Sequence, residues 1–497
     1  MEAKIEGSHN IIVQAKGDGI KIEMGLPHLT LIPPANIAPR QPIRSEIDLL
    51  NAYRRSIQIV GRDRDLILLW EWLHSPNPIS IRTITGRAGA GKTRIAIELI
   101  DRLNEEMSGK WWAGFAGSGE LKRFANLQNL ADWGWARPTM IVVDYAASVV
   151  ESLRLWLREL ATNSTRADGR PLRVLMIERE ASAGEGWLQS VCIGGDSEKR
   201  VLELFDPLEP KRLDRLESSG DRRLVLTRML EACSHITGRK AVPLPAPGDN
   251  LRFDKQLEKA IWEDPLYLMM AALLSLCSDL VEVLDLPRTG LALNMVDHEI
   301  KRFTEGVSSE SAKRMVVHMV GIAAIGNGLS REQAVEAAKK ELAALEWEFP
   351  GGAGFLIDHL HKLLPDRDKG IAPVVPDIIA EALVIKAFGE LSTGEQEKVV
   401  VRVARRFRSR VISFVIRTVQ DFAPAGQLDP LNWVETLIKT GTSDDIGILI
   451  QIDAVMPHQT LILREKAAEV IELLINRLPN LQEENPSEEI QAEQSRL

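Results

Sequence analysis

Gly86-Arg87-Ala88-Gly89-Ala90-Gly91-Lys92-Thr93 is the stretch that decides the fold. It fits the pattern G-x-x-x-x-G-K-T, a P-loop. A triphosphate needs many donors converging on it from a tight arc of chain. Glycines 86, 89 and 91 let the backbone wrap closely, so that successive N–H groups face the phosphates. Lys92 supplies the point charge for the β- and γ-phosphates, and Thr93 a hydroxyl for Mg²⁺. The helix expected over about Thr93 to Met107 aims its positive end at the same place, and Gly86 to Arg94 are the expected nucleotide-binding residues. Residues 78–85 (PISIRTIT) are short and β-branched, as a strand requires, and residues 94–103 (RIAIELIDRL) have helical period.

Working outward, strands alternate with helices from about residue 57 to 208. Residues 111–116, 139–143, 173–177 and 201–205 are the further expected strands, and 151–162 and 210–236 expected helices. Near-continuous apolar character marks strands covered on both faces, which predicts an α/β fold with a parallel sheet. Asp144 ends one such strand, where a carboxylate faces the Mg²⁺ of a P-loop site. The next residues, Tyr145 to Ser148, include no carboxylate to activate water, so slow hydrolysis is expected. Arg179 follows the 173–177 strand and is the expected γ-phosphate sensor. Val60-Gly61-Arg62-Asp63 precedes an apolar stripe at Leu66, Leu69, Trp70 and Leu73, suited to covering adenine and ribose.

Residues 240–250 (KAVPLPAPGDN) form a Pro/Gly hinge, beyond which the strand signal fades. Residues 251–280, 294–304, 311–325, 331–345, 377–388, 395–419, 431–439 and 465–478 read as helices, with turns and two short β-type runs in 352–376. Ser330 and Gln333 make a capping box. Residues 479–497 are polar and acidic, an expected disordered tail. At the other end, residues 11–13, 20–22 and 29–32 are short β-type runs separated by glycines, too small a unit to bury a core alone.

Net charge is −9, which gives no bulk attraction to nucleic acid or anionic membrane. No apolar run reaches membrane-spanning length and no signal peptide is visible, so a cytoplasmic protein is expected. Cys192, Cys233 and Cys277 read as buried small hydrophobes in a reducing compartment. Residues 331–345 balance three basic against three acidic residues, which argues against a DNA-reading helix. The dense basic run Arg402, Arg405, Arg406, Arg408, Arg410 and Arg417 reads as a solvated helix face, and the tryptophans read as core.

Together these residues resemble the signal-transducing STAND class of P-loop ATPases, related to NACHT and NB-ARC switches. The matching segments are Val60 to Asp63, Gly86 to Thr93, Ile141 to Tyr145, Glu178-Arg179 and Asp264-Pro265-Leu266, within a resemblance spanning about residues 57–390. The resemblance implies that Pro265 contacts the base from a helical lid and that a winged helix follows. Together with the residue readings above, it divides the chain into a small β-type adaptor segment (1–40), a P-loop NTPase domain (41–240), a helical lid (241–290), a winged-helix domain (291–388), a helical region (389–478) and the acidic tail (479–497). It further implies ATP or ADP with Mg²⁺ as cofactors, ADP at rest, ATP in a signalling homo-oligomer, and a role in bacterial antiviral defence. A separate effector protein would dock through residues 1–32. A remodelling ATPase with steady turnover is the alternative; a small-molecule kinase should lack the 200 helical residues after the sheet.

Overall fold

The computed structural model describes residues 27–37, 43, 45–107, 110–162, 170–193, 198–238, 243–443, 445–457 and 461–484. The β-type runs expected at 11–13 and 20–22, and the end of the tail, lie outside them. Six strands form one sheet: β1 (Leu31–Ile32), β2 (Ile79–Thr85), β3 (Trp112–Ala116), β4 (Thr139–Asp144), β5 (Leu172–Glu178) and β6 (Lys211–Arg212), in the order β1-β3-β4-β5-β2-β6. All neighbours are parallel except β1, which pairs antiparallel with the edge of β3.

Alternation along the strands builds two cores. Ile81, Ile141, Val143, Val174 and Met176 face the helices Ser118–Ala125, Val150–Thr162 and Gly186–Cys192. Ile84, Met140, Val142, Leu175 and Ile177 face Asp63–Leu73 and Lys92–Glu106. Covered on both sides, the central strands need no polar face. The exception is Arg173, buried in β5. Its guanidinium donates to the carbonyls of Leu73 at 3.1 Å, Ser75 at 2.6 Å and Asn77 at 2.9 Å, fixing the turn that feeds β2.

Past residue 243 the described chain is mainly helical. Pro265–Leu274 and Ser219–Thr237 open a third core that continues through Arg288–Phe303, Glu310–Ile325, Arg331–Ala344, Gly352–Leu363, Asp377–Gly389, Thr393–Phe422, Asp429–Ser443, Ile446–Val455 and Arg464–Glu484. The capping box at Ser330 is present.

Several expectations are corrected. Residues 201–205 are not a strand: the helix Glu198–Leu202 covers their start, and only Phe205 makes an isolated bridge to Ile81. The sheet edge is β6 instead, inside a segment expected to be helical. Of residues 352–376, expected to hold turns and two short β-type runs, 352–363 form a helix, and β character is confined to antiparallel bridges of Ile371 with Leu329 and Pro365. The long 251–280 helix breaks at Asp264, where proline starts a new helix. The last helix extends through Pro479 to Glu484. The mainly apolar helix Ile446–Val455 was not expected. Cys192 and Cys233 are buried but Cys277 is exposed. Of the N-terminal unit, residues 31 and 32 extend the sheet, with Leu29 buried beneath.

Candidate functional site

β2 runs directly into the P-loop, and the helix Lys92–Glu106 leaves it. The loop turns on Gly89 (φ 83°) and Gly91 (φ 93°), a region that side-chain-bearing residues rarely adopt. A Cβ added at Gly89 would also stand 3.0 Å from Leu266 and 3.2 Å from Tyr267. The start of Pro265–Leu274 therefore packs on the loop, and the Leu266 amide donates to the Gly89 carbonyl at 3.3 Å. Arg62 is buried and donates to the Ala90 carbonyl at 2.8 Å. Gly61 takes φ 63° and packs against Leu216 and Asp221. Of the sequence-expected residues, Arg62 thus meets the loop at Ala90, Pro265 opens the helix whose Leu266 packs on Gly89, and Gly61 packs on Leu216 and Asp221 instead. Arg94 does not join them: it pairs with Glu98 at 2.9 Å along its own helix. Arg87 lines an open recess of about 500 Å³ with Lys259, Asp285 and Arg288.

Lys92 Nζ folds back on its own loop, donating to the carbonyls of Gly86 at 2.5 Å and Arg87 at 3.0 Å. Burial, with the charge of Arg179, pushes this ammonium down to about 8. Thr93 Oγ1 donates to Asp144 Oδ2 at 2.9 Å. Burial raises the Asp144 carboxyl to about 6, against the lowering hydrogen bond from Thr93. A hydroxyl and an enclosed carboxylate side by side, lacking a full positive counter-charge, suit a hard divalent cation such as Mg²⁺. The glycine arc and Lys92 suit a polyphosphate. The donor set fits the group that the motif implies.

The carboxyl ends of β4 and β5 carry a second constellation. Tyr145 takes φ 57°, ψ 50°, an uncommon backbone state for a tyrosine. The turn sends its hydroxyl to Asp377, where it donates to Oδ2, and its ring under the Arg417 guanidinium, 4.9 Å from the centroid. Arg179 lies on the next strand end and donates to Asp421 at 2.7 Å and to Glu381 at 2.9 Å. Asp377 and Glu381 sit on Asp377–Gly389, and Arg417 and Asp421 on Thr393–Phe422. Burial drives Glu381 well above the usual carboxylate range; Arg179 opposes this and Asp421 adds to it. Burial also acts to raise Asp377, but Arg417, Arg179, Tyr145 and Lys92 hold it low.

Sequence reasoning placed Arg179 at a strand tip but missed its partners Glu381 and Asp421, 202 and 242 residues away, and Asp377, 232 residues from Tyr145. It named Glu178 only as part of the Glu178-Arg179 segment and gave it no role; its carboxylate accepts from the amides of Arg179 at 2.8 Å and Ala147 at 3.1 Å. The signal was present, since Glu178 ends an apolar run beside Arg179.

The basic run is only partly a solvated face: Arg405, Arg408 and Arg410 are exposed, yet most of its arginines are also paired within the chain. Arg402 grips Glu341 at 2.8 and 2.6 Å, Arg406 pairs with Glu336 at 2.8 Å, Arg408 pairs with Asp445, Arg410 donates to the Gly326 carbonyl, and Arg417 belongs to the constellation above. These charges are satisfied within the chain.

No family model and no curated protein sequence matches the chain. Among solved structures, it is similar to domain III of the replication initiation protein DnaA from Thermotoga maritima, at 13% identity and a TM-score of 0.30, over 50% of this chain and 96% of that one. The Aeropyrum pernix ORC2 protein, in ADPNP–ADP complexes, matches at 13% identity and a TM-score of 0.31, over 68% and 97%. Cdc6p from Pyrobaculum aerophilum matches at 14% and 0.28, over 67% and 96%. Likeness of this degree supports no inference about the chain, and the site stands on its own geometry: a P-loop beside the Thr93–Asp144 pair, with the adjoining strand ends held by C-terminal helices.

Proposed function

We propose that the chain is a nucleotide-gated switch of the STAND type, ADP-bound at rest and ATP-bound when it oligomerises and signals. The observation that carries this is the junction of Tyr145 and Arg179 with Asp377, Glu381 and Asp421. Residues at the tip of a nucleotide site are held by helices some 200 residues later in the chain.

In this reading Lys92 and the amides of Gly86 to Thr93 bind the β- and γ-phosphates. Thr93 and Asp144 hold Mg²⁺, which when bound neutralises phosphate charge. Gly61, Arg62 and Pro265 enclose the base side. Asp377 is a carboxylate within the field of Lys92, Arg179 and Arg417. A γ-phosphate brings further negative charge to the same cations, and like charges so close repel. ADP lacks that group and leaves Asp377 undisturbed. The two nucleotides therefore differ in affinity for the joined and released forms, without which neither could shift the equilibrium. Residues 241–290 act as lid, 291–388 as winged-helix domain and 389–478 as helical region, moving away from the NTPase domain (41–240). Released copies assemble, residues 1–32 recruit an effector, and the output serves antiviral defence. While joined, the protein is a slow ATPase, on the order of one turnover per minute or less.

Small-angle scattering and size-exclusion chromatography with ADP, a non-hydrolysable ATP analogue and no nucleotide test this. Expansion or assembly with the analogue alone is expected. Lys92→Ala should abolish the response and weaken nucleotide binding at least about 100-fold, without unfolding, because it leaves phosphate charge uncompensated. Identical shape and mass in all three states, with the native trigger present, would refute the switch.

A further inference from the structure

Hydrolysis in a P-loop site needs a group that holds the attacking water. The residue after Asp144 does not supply one, since Tyr145 turns away to Asp377. Strand geometry offers another. β5 lies between β2 and β4, with Thr85 opposite Glu178 and Asp144 opposite Ile177. The Gly86 amide donates to the Arg179 carbonyl at 3.2 Å, so the tip of β5 is joined to the first residue of the P-loop. Side chains alternate along a strand. Ile177 faces the Lys92–Glu106 side, while Val174 and Met176 face the other, so Glu178 leaves the sheet on that second side. A residue following Asp144 in continued β4 would leave on the same side, as Val143 does. Glu178 therefore stands one strand over from where that missing carboxylate would be, and its charge acts on both Lys92 and Asp144.

The geometry points to Glu178 as the carboxylate that holds and deprotonates the water attacking the γ-phosphorus of a bound nucleoside triphosphate, restrained in this form by the amides of Ala147 and Arg179. The assignment rests on the nucleotide reading above. The water oxygen forms a bond to the γ-phosphorus as the bond to the β–γ bridging oxygen breaks. The bond's electron pair leaves with the nucleoside diphosphate. One water proton passes to Glu178 and from it to solvent, and inorganic phosphate departs with the other. The restraint has a consequence. The Ala147 amide belongs to the turn that begins at Tyr145, and the Arg179 amide to the residue that Glu381 and Asp421 clamp. Both holds on Glu178 are thus tied to the C-terminal helices, so hydrolysis should quicken when those helices let go.

The test uses the full chain, with and without Asp421→Asn to loosen Arg179. Single-turnover hydrolysis of bound Mg²⁺–ATP is measured beside equilibrium binding of ADP and a non-hydrolysable ATP analogue. Glu178→Gln should slow turnover about 100-fold or more in both backgrounds, in keeping with the loss of a general base, and Glu178→Asp should be intermediate. Both variants should bind either nucleotide within threefold of wild type. Asp421→Asn alone should speed turnover. Turnover in Glu178→Gln within threefold of wild type would overturn the assignment. So would parallel loss of binding and turnover, which would make Glu178 a structural cap of the Ala147 turn. No turnover from wild type and from Asp421→Asn, with ATP bound, would overturn it too. If Asp421→Asn leaves shape and assembly unchanged while Glu178→Gln still stops turnover, the switch fails and the assignment stands.

Discussion

Two arginine–carboxylate contacts tie the C-terminal helices down, and they are built differently. At one, Glu341 is 3% exposed and both its oxygens are satisfied: Arg402 donates to Oε1 at 2.8 Å and to Oε2 at 2.6 Å, and His318 lies 3.0 Å from Oε2. Burial acts to raise it, yet these hydrogen bonds hold it down at about 2. At the other, Glu381 is 0% exposed, but only Oε1 meets Arg179, while Oε2 and Arg417 Nε have no hydrogen-bond partner. Asp421 competes for the same arginine, and Glu381 is pushed towards its neutral form. Equal burial with opposite satisfaction gives opposite behaviour, because a buried charge is stable only when fully paired. The Glu341 contact is a rivet between Arg331–Ala344 and Thr393–Phe422. In the proposed switch the Glu381 contact is the junction that opens, and it adjoins the candidate nucleotide site.

The sharpest way to break this contrast is Arg179→Ala. It leaves Glu381 and Asp421 without their shared cation, and removing one side of a buried pair costs about 3 to 5 kcal/mol. Because the junction can open, the loss should appear locally. Hydrogen exchange is expected to rise in Asp377–Gly389 while β4 and β5 stay protected. Uniform deprotection of the whole chain would mean that the junction is part of the global core.

How far the sequence reached follows the same division. The P-loop, Asp144 and the helices around Ser330 and Arg331 are written in local spacing, and all are where the pattern places them. Residues 201–205 misled because VLELF contains one β-branched residue and suits a helix end as well as a strand. The arginines of 402–417 misled for a different reason. Composition shows that a helix carries charge, but the partners Glu341, Glu336 and Asp445 come from other helices and only packing reveals them. Arg179 was legible as a strand-tip residue, whereas its clamps lie 202 and 242 positions on. Glu178 was named without a role because attention to carboxylates followed the chain from Asp144, and the sheet places its neighbour one strand away.

A smaller effect sharpens the contrast by isosteric change. Glu341→Gln loses charge at a fully paired site and leaves Arg402 poorly matched, so stability should fall by about 1 to 3 kcal/mol. Glu381→Gln replaces a group already driven towards neutrality, and Arg179 keeps Asp421, so its effect should lie within about 0.5 kcal/mol. Denaturant unfolding of the two variants measures this. Equal losses would show that the contacts do not differ in kind.

The smallest effect is a slope with pH, and the two sites give it opposite signs. Glu341 is lowered when folded, so its contribution is present above its ordinary value near 4.5 and is lost only as pH falls towards 2. Between pH 6 and 8 it is constant. Glu381 is raised while joined, facing Arg179 from β5, Arg417 and Asp421 from Thr393–Phe422, and Asp377 from its own helix. On release it regains an ordinary carboxylate environment, so closing takes up a proton. Its contribution is full below its ordinary value and declines as pH rises through the raised one. The limit for one proton is about 1.4 kcal/mol per pH unit. Hydrogen exchange in Asp377–Gly389, followed from pH 6 to 8 and corrected for intrinsic rates, should show opening that grows with pH. The same scan on Glu381→Gln should be flat, because an amide cannot take up the proton. A slope that survives the substitution would place the titrating group elsewhere and remove the distinction between junction and rivet.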